Sequence, residues 1–400
     1  MNRLTNTIRP YAWGSATAIP ELLGTPPTGE PQAEIWMGAH PGAPSRIDRG
    51  AGPVALDTVI AADPRAELGE AAVKRFGPRL PFLFKVLAAG SPLSVQVHPD
   101  LAQAQAGFAA EETRGVPLDA PERNYKDANH KPEMVVALTP FDGLCGFRRP
   151  TDAADLLDGL GVHSLAPYAD ILRAHPEDHA LREVLSAVLT AEPEAIAATV
   201  TAAAEAAARL ADDPGNPYAA DYAAYARTAH SFPGDRGVIA AMLLNYVRLQ
   251  PGEALYLGAG VPHAYLDGLA VEIMANSDNV LRCGLTPKHI DVPELLRVVR
   301  FASGDPGVLR PEAGPDGEEL YAAPIDEFRL SRYVLAAGAD ARPLDPATPQ
   351  ILLCTHGRAE LRDAAGNTLT LGRGESAFVP AGERTELTGE GTVFRATVTA

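Results

Sequence analysis

The segment Ser94–Asp100 alternates polar and apolar residues before a His-Pro turn, the pattern of a short β-strand with one buried face. Successive side chains of a strand point to opposite faces, so Ser94, Gln96 and His98 share one face. The valines between them point into a packed layer. Gln96 and His98 are therefore two potential metal ligands that project together from a rigid element. A complete metal site requires the fold to bring further ligands to them.

Length and composition indicate a soluble globular chain with several domains. The 400 residues exceed what one hydrophobic core usually holds, so two or three domains are expected. Hydrophobic residues make up 46% of the chain and charged residues 21%, which is typical of globular proteins. The 36 prolines favour a β-rich architecture with many turns.

Charge and cysteine content restrict the partners and the compartment. The net charge of −17 argues against non-specific nucleic-acid binding, and an anionic substrate would need a local cluster of Lys and Arg. Three separated cysteines, Cys145, Cys283 and Cys354, predict neither a disulfide framework nor a thiolate zinc site. No apolar run has the length of a signal-peptide core or a membrane span. We expect a cytoplasmic protein without membrane contact, a monomer by preference, and the sequence leaves an oligomer open.

Pro81–Leu87 is a second predicted strand, with an unusual residue on one face. Phe82 and Phe84 share an apolar face, and Lys85 lies on the opposite face between leucines. A lysine in that position either extends to solvent or reaches an anion. Upstream of this strand, His40 precedes a proline and is expected at the surface or in a turn.

Residues 151–235 are rich in Ala, Leu and Glu at helical spacing and predict a helical insertion, with Pro193 at the start of a helix. β-type patterning returns at Val238, and a further helix is predicted to start at Asp291. Four histidines of the insertion are expected to have no functional role: His163, His175, His179 and His230.

The segment Pro251–Leu266 contains a Pro-Gly turn, a short strand and a Pro-His that begins the next strand. His263 and Tyr265 share a face of that strand. The segment 371–382 repeats the turn and strand but has no histidine where His263 stands. Residues 324–400 are therefore predicted to form a sibling β domain without a metal site.

The order of the candidate ligands resembles the cupin double-stranded β-helix, a small jelly-roll barrel. The first cupin motif has two donors at i and i+2 and then a glutamate, which match Gln96, His98 and Glu133; the second has a histidine, which matches His263. A loop over Leu101–Asp127 lengthens the first motif. The implied fold is mainly β with a helical insertion. Its expected parts are a catalytic cupin jelly-roll domain (1–150 and 236–323), an α-helical domain (151–235) and a C-terminal metal-free cupin-like β domain (324–400).

Several segments are also similar in sequence to one family, the type I mannose-6-phosphate isomerases. The four motifs that carry this resemblance are Gln96–Asp100, Asn129–Glu133, Pro262–Tyr265 and Ser277–Lys288. The segments that fit the same family pattern are Arg9–Ser15, Glu34–Pro41 and Pro81–Leu87. The resemblance therefore runs from the N-terminus to about residue 300.

The resemblance implies an isomerase that interconverts mannose 6-phosphate and fructose 6-phosphate, with a proton moving between C2 and C1 through an enediol(ate). It implies a sugar phosphate as the small-molecule partner. It also implies one Zn²⁺ per chain, bound by Gln96, His98, Glu133 and His263. Two imidazoles, a neutral amide and one carboxylate leave such a site with a charge of about +1, which preserves the Lewis acidity of the metal.

The same resemblance suggests further site residues. The expected substrate and phosphate ligands are Lys85, Ser94, Lys131 and Arg282. Arg282 and Lys131 are also expected to take part in catalysis. The candidates for the general base are His130, Asp278 and Glu272. The sequence does not rank these three, because such an assignment needs geometry first.

Other interpretations remain open at this point. Two histidines and one carboxylate also form the facial triad of non-haem iron oxygenases, and a cupin can bind a sugar phosphate without turning it over. Lys131 and Glu133 could form a purely structural ion pair, and so could Asp278 and Arg282. Metal identity and turnover distinguish the three classes of function.

Overall fold

The computed structural model describes residues 1–400, which form two large β-sheets, a small two-stranded sheet and a block of helices. The strands that precede the helical block are β1 (Asn2–Arg3), β2 (Thr7–Arg9), β3 (Glu34–Gly38), β4 (Arg46–Asp48), β5 (Pro53–Ala55), β6 (Phe82–Ala89), β7 (Val95–Val97), β8 (Glu133–Ala137) and β9 (Phe141–Phe147). The helices of this part are α1 (Ala18–Leu23), α2 (Leu56–Ala62), α3 (Pro64–Leu68), α4 (Glu70–Phe76) and α5 (Leu101–Thr113).

Helix α5 occupies half of the segment that the sequence analysis treated as a loop. The Asp100 side chain accepts a hydrogen bond from the backbone N–H of Gln103, and the Gln103 side chain accepts one from the backbone N–H of Asp100. This reciprocal arrangement is a capping box, which satisfies two N–H groups that the first turn of a helix leaves free. The spacing of Asp100 and Gln103 was a readable signal for the helix start.

The helical block has six helices and a 3₁₀ turn (His163–Leu165): α6 (Pro150–Gly159), α7 (Ala166–Ala174), α8 (Glu177–Thr190), α9 (Pro193–Ala211), α10 (Ala219–Ser231) and α11 (Gly237–Met242). The predicted helix start at Pro193 is confirmed, because proline fits a first turn whose N–H groups have no partner anyway. Val238 lies in α11, so the expected return of β structure there is wrong. All six residues of α11 are buried, and so short an apolar run does not distinguish a buried helix from a strand.

The chain then returns to the sheet it left. The elements of this part are β10 (Leu244–Leu249), β11 (Ala254–Leu257), β12 (His263–Ala275), β13 (Leu281–Gly284) and α12 (Val292–Val298). The Asp291 side chain accepts a hydrogen bond from the backbone N–H of Glu294, so Asp291 caps α12 as predicted.

The C-terminal strands form a nine-stranded sheet: β14 (Glu312–Ala313), β15 (Glu318–Tyr321), β16 (Arg329–Leu335), β17 (Arg342–Leu344), β18 (Gln350–Asp363), β19 (Thr368–Gly372), β20 (Ser376–Val379) and β21 (Thr385–Thr397). Its order is β1-β20-β18-β21-β16-β15-β14, with β17 on β21 and β19 on β18. The sheet thus includes two strands before residue 324 and the first strand of the chain. Strand β15 pairs with its neighbours along the chain, β14 and β16, whereas the pairing of β1 with β20 is long-range and has no signal in the local sequence.

Strand β12 organises the ten-stranded sheet, in which it pairs antiparallel with β6, β7, β8 and β9. One face of β6 packs into a core shared with the C-terminal sheet, where Phe82 and Phe84 join Phe394. The two valines of β7 pack into a different core, which is formed mainly by the helical block. The strands of the candidate site are therefore fixed from two sides.

No single helix is long and apolar enough to span a membrane. Helices α8 and α9 reach that length and composition only when taken together, and they meet at a bend of 111°.

Candidate metal centre and substrate cleft

Three neighbouring strands place candidate ligands side by side. In the antiparallel register of β12, β7 and β13, His263 lies opposite Gln96, and Gln96 lies opposite Arg282. Residues opposite one another in a sheet project from the same face, so these side chains point to one side. Ser94, Gln96 and Arg282 line a cleft of about 610 Å³ on that side. The predicted shared face of β7 is therefore the face that the structure turns toward the cleft.

Two histidines and one glutamate converge beneath this cleft. Nε2 of His98 and Nε2 of His263 each lie 3.4 Å from Oε2 of Glu133. All three atoms are buried and have no hydrogen-bond partner. Buried polar atoms without a partner are costly, so their convergence points to a bound ion. Ligand atoms around a tetrahedral zinc with bonds of about 2.0–2.1 Å lie about 3.3 Å apart, which fits this spacing.

The backbone orients both imidazoles for metal binding. Nδ1 of His98 lies 2.9 Å from the carbonyl oxygen of Asn279, and Nδ1 of His263 lies 2.9 Å from that of Val261. A carbonyl only accepts, so each Nδ1 carries the proton and each Nε2 has its lone pair free. Burial lowers the pKa of His98 to about 4, which keeps its ring neutral at physiological pH. The lone pairs needed by a metal ion are therefore available.

The second oxygen of Glu133 is held by a lysine. Nζ of Lys131 lies 3.0 Å from Oε1 of Glu133, which leaves Oε2 for the two histidines. Burial acts to raise the pKa of Glu133, but Lys131 and His98 outweigh it and hold that pKa well below the usual range. The ion pair that the sequence suggested between Lys131 and Glu133 is present, and it orients a carboxylate for metal binding.

A buried ion-pair network lies in the same cleft. Nζ of Lys85 lies 2.9 Å from Oε2 of Glu272, its neighbour across β6 and β12, and 3.6 Å from Oε1 of Glu34. The Tyr265 hydroxyl donates to Oε1 of Glu272 at 2.9 Å, and Nε1 of Trp36 donates to Oε2 of Glu34 at 2.6 Å. Lys85 therefore reaches anions, and these anions are two protein carboxylates.

The buried charges of this cleft do not balance. Lys85 and Lys131 face three buried carboxylates, those of Glu34, Glu133 and Glu272, which leaves one excess negative charge. Burial acts to lower the pKa of Lys85, but the carboxylates raise it, so the ammonium stays charged. Burial, with the negative charges of Glu133 and Glu34, raises the pKa of Glu272 although Lys85 acts to lower it. A divalent cation would turn the excess negative charge into an excess positive one.

Arg282 and Lys288 give one part of the cleft a positive charge that no carboxylate offsets. Both residues line the cleft. Burial lowers the pKa of Arg282, and burial together with Arg282 and Lys126 lowers the pKa of Lys288. The suggested pair between Arg282 and Asp278 is absent, because Asp278 lies against His40. Lys288 was not chosen as a site residue from the sequence, although it ends a motif that was recognised.

The structure refines the predicted positions of two histidines. His40 begins a turn, as one of its two predicted positions required, because its carbonyl oxygen accepts a hydrogen bond from the backbone N–H three residues later; it is nevertheless buried and not at the surface. Its Nε2 lies 3.4 Å from Oδ2 of Asp278, which lines the cleft. His130 is not among the residues that line the cleft. Its Nε2 lies 2.5 Å from Oε1 of Glu327, just before β16. Its position as a candidate base is therefore unfavourable, whereas Glu272 and Asp278 both face the cleft.

Comparisons with known proteins agree on one family. The sequence model for "Phosphomannose isomerase type I, catalytic domain" matches residues 1–150. Mannose-6-phosphate isomerase of Escherichia coli (strain K12) is 42% identical over 387 residues, which cover 96% of this chain and 95% of that protein. The corresponding protein of Salmonella typhimurium (strain LT2) is 43% identical over 388 residues, with the same coverage.

Solved structures extend this similarity to the whole fold. The crystal structure of mannose 6-phosphate isomerase from Salmonella typhimurium bound to fructose 6-phosphate and zinc has a TM-score of 0.90, 41% identity and complete coverage of both chains. A zinc-bound holo structure of mannose 6-phosphate isomerase has a TM-score of 0.89 and covers 100% of this chain and 99% of its own. With relatives above 40% identity over nearly the full length of both partners, this chain belongs to the type I phosphomannose isomerase family.

Proposed function

We propose that the protein interconverts mannose 6-phosphate and fructose 6-phosphate with one zinc ion held by Gln96, His98, Glu133 and His263. The main support for this proposal is the convergence of three buried atoms without a hydrogen-bond partner, which are Nε2 of His98, Nε2 of His263 and Oε2 of Glu133. They lie next to a cleft that contains the buried pair of Lys85 and Glu272. The zinc and fructose 6-phosphate bound to the Salmonella neighbour support the same metal and substrate here. When bound, zinc supplies a Lewis acid that stabilises negative charge on the substrate oxygens.

Gln96 completes the proposed ligand set. It lies opposite His263 in the register and lines the cleft, which supports its amide oxygen as the fourth ligand. A neutral fourth ligand adds no charge. One carboxylate then leaves a net positive charge that attracts electron density from the substrate.

Glu272 is the group best suited to move the proton between C2 and C1. Its carboxylate is buried, faces the cleft, and has a pKa raised by burial, as a base that acts near neutral pH requires. The pKa of Asp278 is shifted the other way, first by its hydrogen bond with His40. Lys85 and Tyr265 hold the two oxygens of Glu272, and Lys85 provides a positive charge at the carboxylate when it releases the proton.

Arg282 and Lys288 are proposed to hold the phosphate. They have no carboxylate partner in the cleft, unlike Lys85 and Lys131, whose charges are taken up by Glu272 and Glu133. A dianionic phosphate would relieve the repulsion between the two cations and replace the solvent that their burial removes. Ser94, which also lines the cleft, would donate a hydrogen bond to the phosphate. The sugar would then extend from the phosphate toward the buried ligands.

The alternative of a non-haem iron oxygenase rests on the same two histidines and one carboxylate. That chemistry has no use for a buried Glu272–Lys85 pair or for two unpaired cations. A binding protein without turnover would not need the three unpartnered ligand atoms. Both alternatives therefore leave parts of the site unexplained.

The finer fold assignment is also a proposal. Both large sheets are built from antiparallel strands and pack against a shared core, as expected for two cupin-type jelly rolls, the first of which contains a helical insertion. The parts would be residues 1–149 with 243–311, the helices of 150–242, and 312–400. Of the eight strands in the last part, none carries a histidine that corresponds to His263, which supports a metal-free role.

Solvent isotope exchange tests the proposed chemistry. Fructose 6-phosphate incubated with the zinc enzyme in D₂O should gain deuterium at the carbon that exchanges its proton. We expect Glu272→Gln to keep its zinc and to lose at least about 100-fold in turnover and exchange, the usual contribution of a positioned base. His130→Gln is the matched control and should retain both. Exchange that persists at the normal rate in Glu272→Gln would remove Glu272 from the proton transfer.

A further inference from the structure

We propose that His175, His179 and Glu183 form a second divalent-metal site on the outer surface of the helical block. The two histidines were expected to have no role, and none of the three residues lines the isomerase cleft. Nε2 of His179 lies 3.4 Å from Oε2 of Glu183, and Nε2 of His175 lies 3.8 Å from the same oxygen. The three ligand atoms all lie within 4.8 Å of one another.

The spacing of the residues along the chain explains this geometry. His179 and Glu183 are four residues apart in α8, so their side chains lie one turn apart on the same face. His175 ends α7 in an extended conformation, which directs the chain into α8 and places its ring 5.1 Å from the ring of His179. Two elements therefore contribute to one cluster.

The buried centre of His98, Glu133 and His263 provides distances with which the surface cluster can be compared. Its two Nε2 to Oε2 distances are 3.4 Å, and one of the two surface distances has the same value. Ligand atoms around a tetrahedral zinc lie about 3.3 Å apart, so small rotations about the His175 and Glu183 side chains complete the surface site. The remaining coordination positions face solvent, because the three side chains are 42–62% exposed.

The types of ligand atom determine which ions would bind at the surface site. Two neutral imidazoles and a carboxylate favour Zn²⁺, Ni²⁺, Co²⁺ or Cu²⁺ over Mg²⁺ and Ca²⁺, which prefer oxygen ligands. No protein group holds the second nitrogen of either histidine, whereas carbonyl oxygens hold both in the buried centre. A site without such support binds more weakly and exchanges its ion more readily.

Metal binding at this position would tie the end of α7 to the first turns of α8. This part of α8 already contacts α12 and the segment after it: Arg182 donates to the carbonyl oxygen of Leu296 in α12, and Glu177 accepts a hydrogen bond from the backbone N–H of Ser303. An ion that binds only the folded state stabilises it. The expected effect is a higher melting temperature with unchanged turnover.

Zinc binding to the intact enzyme, prepared with one zinc per chain, tests the proposal. Equilibrium dialysis against zinc should show a second, weaker equivalent in the native protein and a rise in melting temperature. His179→Gln should lose the second equivalent and the rise in melting temperature but keep the first zinc and full turnover. His163→Gln, an exposed histidine of the same block, should behave as the native protein. A native protein that binds only one zinc, or a His179→Gln variant that still binds two, would overturn the proposal.

Discussion

The surroundings of a carboxylate determine whether it can act as a base, as a comparison of Glu272 with Asp278 shows. Glu272 is 2% exposed and has a raised pKa, whereas Asp278 is largely open to solvent and has a pKa lowered by its hydrogen bond with His40. Both lie near the metal ligands in sequence and in space. A carboxylate whose pKa is raised by burial is the stronger base of the two, because its ionised form gains more by accepting a proton. Burial, which the sequence alone does not report, therefore separates the two candidates.

Replacement of Lys288 tests the proposed phosphate site. Lys288→Gln removes one of two cations that lack a carboxylate partner, and phosphate binding should weaken in the ground state and the transition state alike. We expect KM for fructose 6-phosphate to rise about tenfold with kcat little changed, since the residue is exposed and its interaction is partly screened. Steady-state kinetics measures both constants.

Inorganic phosphate as a competitive inhibitor provides the control for this variant. Its inhibition constant should rise by the same factor as KM if the lost interaction is with phosphate. Lys74→Gln, which removes an exposed lysine of α4 outside the cleft, should change neither constant. An unchanged KM in Lys288→Gln would place the phosphate elsewhere.

The regular alternation of side chains along the strands explains why part of the site could be predicted from the sequence. Period-two alternation was sufficient to put Ser94 and Gln96 on one face and Lys85 opposite two phenylalanines, because both strands are short and regular. Partners across strands were not readable. The pairing of Lys85 with Glu272 joins residues 187 positions apart, and that of His130 with Glu327 joins residues 197 apart.

Elements without periodicity were also missed. Helix α11 is uniformly apolar, so its pattern fits a buried strand equally well. The first strand of the chain, Asn2–Arg3, is too short to have a pattern and is defined only by its pairing with Phe378 and Ala377. Tertiary contacts determine both elements, and a single sequence does not encode these contacts in a form that local rules can read.

A close contact between α11 and β13 gives a prediction about the stability of the fold. A Cβ on Gly284 would lie 2.3 Å from the Cα of Gly237, and Gly284 has a φ of 147°, which disfavours other residues. Gly284→Ala should push α11 away from the strand that carries Arg282 and destabilise the fold by about 2 kcal/mol or more. Urea unfolding followed by circular dichroism measures this loss.

Gly304→Ala is the matched control, because a Cβ at Gly304 meets no atom within 4 Å. It should unfold at nearly the native urea concentration. If Gly284→Ala were as stable as this control and kept its KM, the contact between α11 and β13 would not determine the position of Arg282.

Across the whole molecule, the cleft meets the C-terminal part both through the core that β6 shares with the C-terminal sheet and through a contact of the half-buried His130. His130 precedes Lys131 and Glu133, and it contacts Glu327 of the C-terminal part. The hydrogen bond with His130 lowers the pKa of Glu327 below its usual value. The folded state therefore binds a proton on Glu327 less readily than the unfolded state does, so this contact stabilises the protein above about pH 4.3 and is lost as the pH falls through the lowered pKa.

Glu327→Gln should remove that pH dependence. Near neutral pH the variant should be about 1 kcal/mol less stable than the native protein, and the difference should shrink toward about pH 3. Urea midpoints measured across this range test the sign of the effect. Asp340→Asn removes an exposed carboxylate and should leave the difference near zero throughout. A Glu327→Gln variant whose deficit grows in acid would contradict the assignment.

Zinc-dependent turnover is the most direct test of the account. Conversion of mannose 6-phosphate to fructose 6-phosphate should be followed in the purified enzyme, after chelation, and after zinc is returned, with His263→Ala in parallel. The site predicts turnover that falls with chelation, returns with zinc and stays absent in His263→Ala under every condition. Full turnover in the metal-free protein, or normal turnover in His263→Ala, would contradict a zinc isomerase built on Gln96, His98, Glu133 and His263.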